Sequence, residues 1–163
     1  AIFLFDTSAI PDTDVISDAT ISVKASDYKS GTLGQSITFV LPKQAGSPSN
    51  TDITFPASYD DYLVTNWTMT QQNTTDMLVS AWTLNAYNAF ALNATGIGNI
   101  SKTGITKFGM VFSGDRTNSA PTWASGASDL VRVVYADTAG TTSDPKLVVT
   151  HAAAATRRVL ILD

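Results

Sequence analysis

In the stretch ATISVKAS, residues 19 to 26, the apolar Ala19, Ile21 and Val23 fall on one side of an extended chain and Thr20, Ser22 and Lys24 on the other. A chain patterned with this period buries one face of a sheet and cannot present a helical stripe. SITFVL (36–41), KFGMVF (107–112), LVRVVYA (130–136) and KLVVTH (146–151) predict further strands, each rich in β-branched or aromatic residues. Between them lie IPDTD, KSGTLGQ, KQAGSPSNTD, SGDRTNSAPTWASGASD and DTAGTTSDP, whose Gly, Pro, Asn and Asp supply bends and positive φ angles.

The acidic residues agree with this pattern, since all 14 are Asp and none is Glu: the helix former is absent and the turn former takes its place. Two places predict a helical turn. ATGIGNISK (94–102) follows Asn93 as an N-cap, and ASYDDYL (57–63) holds a second candidate. Strands joined by long polar loops, with so little helix, predict an all-β fold, an antiparallel β-sandwich of jelly-roll-like architecture with one or two short helical turns. At 163 residues the chain suits a single domain able to bury roughly two thirds of its unfolded surface.

Composition narrows the functions. Charged residues make up 15% of the chain while Ser, Thr, Asn and Gly abound, the surface chemistry of secreted and virion β proteins, and this predicts an extracellular location. A net charge of −4, with Lys and Arg scattered singly, argues against a nucleic-acid partner. No apolar run approaches the roughly 20 residues that span a bilayer as a helix. The opening AIFLF lacks the basic lead and the length of a signal peptide. With no Cys, disulfides, thiolate metal sites and Cys nucleophiles are excluded.

An inventory of reactive groups predicts no enzyme. His151 is the one His, at the end of a predicted strand and with no GxSxG elbow to serve, so an edge-strand surface role suits it better than catalysis. Glycoside hydrolysis needs two carboxylates facing each other across roughly 5–9.5 Å, whereas Asp60 and Asp61 are adjacent and point apart. A hard cation is the one cofactor with any support: Asp12, Asp14 and Asp18, with Asp6 before them, crowd the first turn and could offer oxygens to Ca²⁺. Turn formation and capping explain the same residues.

Glycan binding would need exposed aromatic rings with polar groups beside them. Trp67, near Tyr59 and Tyr62, and Trp82 and Trp123 are the candidates. Trp123 is favoured because its long polar loop also carries Asp115 and Arg116. The opposing expectation is that a Trp in such a loop covers the open end of the core. Four Asn-X-Ser/Thr sequons, at Asn66, Asn73, Asn93 and Asn99, would lie on an exterior surface if the source glycosylates.

The run FLFDTSAIPDTDVISDATISV resembles the opening motif of the DNRLRE domain family, and ADTAGTTSDPKLVVTH resembles its closing strand. AYNAFALNATGIGNISKTGITKFGMVF is similar to the family's middle segment of strand, short helix and strand. The likeness runs from about residue 2 to 151, while GDRTNS (114–119) is only a faint relative of the family's signature. The resemblance implies a non-catalytic β-sandwich repeat of secreted, cell-surface or phage-encoded proteins, some of whose relatives are carbohydrate-binding modules of polysaccharide-degrading enzymes.

It further implies that strands precede FLFD, so that residues 1–151 form a sandwich without its leading strands, with an unpaired edge and an apolar groove around Ile2, Phe3 and Leu4. Either the chain derives from a longer one with adjoining domains, or a neighbouring subunit supplies the strand. Residues 152–163, AAAATRRVLILD, form a tail that places two arginines before the apolar tetrad Val159, Leu160, Ile161 and Leu162. Such a tetrad predicts docking, either back on its own domain or on another copy. The expectation is therefore a structural or adhesive building block of a surface filament or virion fibre, joined by strand or tail docking between copies, with a carbohydrate-binding module as the alternative.

Overall fold

A computed structural model describes residues 1–42, 67–136 and 140–154; the side chains of Pro42 and Trp67, the predicted turn at 57–63 and the whole apolar tetrad lie outside the described residues. The chain forms two antiparallel sheets. In the first, β1 (Ile2–Asp6) pairs with β7 (Ile105–Phe112), β7 with β3 (Ser36–Pro42), and β3 with both β4 (Trp67–Thr68) and β5 (Met77–Leu78). In the second, the 18-residue β2 (Asp14–Gly31) pairs with β6 (Tyr87–Ala91) on one edge, and β8 (Asp129–Val133) and β9 (Lys146–Ala153) take its two halves in turn. The chain crosses between sheets after β1, β2, β5, β6 and β7, the all-β sandwich habit expected from the alternation.

The face named by period two is the buried one. Ala19, Ile21, Val23 and Ala25 of β2 are all buried and meet Phe3, Ile37, Phe39 and Phe108 of the first sheet. Aromatic rings join the layers: Phe39 lies 6.0 Å from Phe3 and 5.0 Å, edge-on, from Phe90, which lies 5.7 Å from Trp82. Trp82, considered above as an exposed ring, is thus a core residue at 1% exposure.

The strand, short helix and strand expected over AYNAFALNATGIGNISKTGITKFGMVF appear as β6, α1 (Ala94–Gly98) and β7. Asn93 caps α1 as its sequence suggests, its Oδ1 accepting from Gly96 N at 2.9 Å. Gly96 is needed for a different reason: a Cβ there would stand 2.2 Å from the Gln72 carbonyl oxygen.

Two expectations fail locally. Ser113–Thr117, read as loop, forms α2, because Gln35 Oε1 accepts from Gly114 N at 3.1 Å and Asn118, at φ 52°, closes the turn in the left-handed region. KSGTLGQ, read as a turn, begins within β2, since β8 holds Lys29–Gly31 in the ladder.

At the end of β1, Asp6 Oδ1 accepts from Ser8 Oγ at 2.6 Å and from Ser8 N at 3.0 Å, and these hydrogen bonds hold its carboxyl below the usual 3.8. A carboxylate depressed on folding stabilises the fold above its ordinary value, and that contribution disappears as pH falls through the lower folded value. An NMR titration should therefore place Asp6 below an ordinary aspartate, and Ser8→Ala should move it back up; an unmoved midpoint would refute the turn.

Among the described residues no helix is long and apolar enough to cross a membrane.

Candidate functional site

A concavity of about 1080 Å³ forms a groove between the end of β7 and β8. Met110 and Phe112 of β7 form one wall, Leu130, Val131 and Val133 of β8 the other, and the chain between α2 and β8 carries Trp123 to its lip. This loop is tied down at both ends. Ser119 N donates to Gly114 O at 2.9 Å, and Ser128 N donates to Thr32 Oγ1 at 2.8 Å while Ser128 O accepts from Thr32 N at 3.1 Å. Asp129 completes the anchor: its Oδ1 accepts from Leu33 N at 2.9 Å and its Oδ2 from Gln35 N, satisfying two backbone donors where the chain turns from β2 into β3.

Trp123 does not cover the core: it is 72% exposed, the most exposed of the described large hydrophobic side chains, and Tyr135 and Leu130 beside the groove are about half exposed. A wet indole on a pinned loop, over aliphatic walls, is a binding feature. Asp115 is exposed and lines the same groove. Arg116 does not join them. Its Nη2 pairs with Asp76 Oδ2 at 3.0 Å, latching α2 to the 71–76 segment, so its place as a ligand-binding partner of Trp123 is corrected to a structural one. Trp67 opens β4, its backbone opposite Pro42. Sequence reasoning missed Leu33, Met110, Phe112, Leu130 and Tyr135. A signal for Leu130 existed: it shares with Arg132 the face of LVRVV that alternation assigns to solvent, yet it is apolar.

The structure does not bring Asp12, Asp14 and Asp18 together in one turn. Asp14 and Asp18 lie within β2 and not in the first turn, opposite Ala153 and Thr150, with a bulge between them. Asp14 Oδ2 meets His151 Nδ1 at 2.7 Å, which occupies the His in a strand-edge pair. Asp12 stays exposed before the strand, and among the described residues no three His, Cys, Asp or Glu converge as metal ligands.

The sequons are corrected too. Asn73 is 1% exposed, its Oδ1 accepting from Phe39 N at 2.7 Å and Thr38 Oγ1 at 3.1 Å, its Nδ2 donating to Thr75 O at 2.8 Å. Asn93 Nδ2 donates to Gln71 O at 2.8 Å and Asn73 O at 3.2 Å, and Asn99 Nδ2 to Gln72 Oε1 at 2.7 Å. These amides are joints between the sheets, with no room for a glycan at Asn73; Asn66 lies outside the described residues.

The apolar opening segment is partly consumed within the fold. Phe3 is buried in the core, and Ile2 to Asp6 pair with β7, which corrects the assignment of the Phe3 side chain to assembly. Among the described residues the other edge of β1 carries no strand.

In comparisons with known proteins, the chain matches no family model, no curated protein and no solved structure.

Proposed function

We propose that the protein is a non-catalytic, extracellular β-sandwich module that works by assembling with copies of itself, a building block of a surface filament or virion fibre, as its resemblance to DNRLRE domains also implies. The observation that carries this reading is the open apolar groove with Trp123 on its lip. Contiguous exposed apolar surface on a soluble domain marks an interaction site, and walls of Met, Leu, Val and Phe suit an apolar peptide segment. The edge of β1, which carries no strand among the described residues, offers a second surface of the same kind.

Sedimentation of the full chain should reveal species larger than the monomer that grow with concentration, and Trp123→Ala should shift them towards monomer. A monomer at every concentration would end this reading.

The second reading, a carbohydrate-binding module, is favoured by the indole's exposure, since a flat ring stacks on a sugar face. It is weakened by the engagement of Arg116 with Asp76. A monomer whose Trp fluorescence responds to glycans would favour it.

A further inference from the structure

Resting on the assembly reading, we infer that the occupant of the Trp123 groove is the RRVLILD segment, residues 157–163, of a second copy of the chain.

Charge and reach support this occupant. The charged side chains lining the groove are Asp115 and Asp129, with no Lys or Arg among the described lining residues. Asp115 is exposed on the same groove lining as Trp123, while Asp129 is already engaged by two backbone donors. A segment entering here should bring cations at one end and apolar side chains behind them. The tail supplies this order, Arg157 and Arg158 followed directly by Val159, Leu160, Ile161 and Leu162. Arginine on a rim carboxylate fixes direction and register, and the apolar tetrad desolvates the indole, Leu130 and the β7 wall.

The tail falls short of the Leu130 end of the groove in its own molecule. β9 ends at Ala153, opposite Asp14, whereas the groove lies at the other end of β2, where Leu130 stands opposite Ser30. At ~3.3 Å per residue the stretch of β2 from Asp14 to Ser30 separates these rungs by on the order of 50 Å. From Ala153, Val159 is at most about 22 Å away and Leu162 about 32 Å, even with the backbone fully extended. The tetrad would therefore fall short of Leu130 unless β9 came off β2. With groove and tail at opposite ends, each copy binds the next through unlike surfaces, a heterologous contact that propagates into a filament or closes into a ring.

Two full-length variants test the pairing. One spoils the groove (Trp123→Ala with Leu130→Asp, both exposed positions), and the other the tail (Leu160→Asp with Ile161→Asp, covering both faces of an extended segment). Each alone should self-associate at least about tenfold more weakly than the parent chain. Mixed, they should form a 1:1 heterodimer, because one retains a working tail and the other a working groove. A synthetic peptide of residues 154–163 should bind the tail variant and shift its Trp emission to the blue, with no such shift for the groove variant. Circular dichroism confirms that both variants fold. If the parent chain assembles but the mixture yields no heterodimer and the peptide does not bind, the tail is not the occupant although assembly stands. If the parent chain is monomeric throughout, the inference falls together with the assembly reading.

Discussion

Replacing Phe39 with Ala should lower the melting temperature by about 10 °C or more, the largest loss expected from any single truncation in the core. Phe39 is 0% exposed on the central strand of the first sheet, and its ring touches Phe3 within that sheet and Phe90 across the sandwich. Removing it opens a cavity between two sheets that the ladders of β3 and β7 prevent from collapsing, a change that costs about 3–5 kcal/mol. In a domain of this size each kcal/mol corresponds to roughly 2–4 °C. Thermal unfolding followed by circular dichroism measures it. A drop of only a degree or two would mean that the sheets are not locked together through this ring.

Asn73→Ala comes next, with an expected loss of about 2–4 kcal/mol, because the buried side-chain amide ties β3 to the turn at Thr75. Its carbonyl accepts from Phe39 N and Thr38 Oγ1, its amino group donates to Thr75 O, and its own backbone carbonyl accepts from Asn93 Nδ2. Truncation leaves a buried N–H and a C=O without partners, each worth about 1–3 kcal/mol. The effect reads against the sequon. If Asn73 were a glycan carrier on the exterior, alanine would remove the modification and leave stability almost unchanged. Denaturant unfolding of Asn73→Ala, with Thr75→Ala as a control that abolishes the sequon but keeps the amide, separates the two: only the first should lose several kcal/mol.

Asn73 and Trp123 mark the limits of reading this chain without its fold. A buried joint and a glycosylation acceptor share the same three residues, Asn-Thr-Thr, because the sequon describes local chemistry while burial is decided by β3 and Leu92 arriving from elsewhere in the chain. Trp82 in SAWTL and Trp123 in PTWASG have similarly small and polar neighbours, yet one is sealed beneath Phe90 and the other stands in solvent. Likewise Arg116 and Asp115 are adjacent in the chain, but α2 turns them apart, one to Asp76 and one to the groove.

What the sequence determined by itself is the local order: extended segments, the inward face of β2 at Ala19, Ile21 and Val23, the Asn93 cap of α1, and the all-β class. These follow from period-two alternation and from capping, interactions that span only a few residues. The tertiary structure alone decided which edges meet. Asp14 pairs with Ala153 and Phe3 with Phe108, so that β8 and β9 line one edge of β2 and the Trp123 loop is carried over a groove. The reason is physical: alternation gives a strand two faces but no address, and the partner is chosen by the packing of the whole core, where loop closure, ring contacts and buried amides are satisfied together.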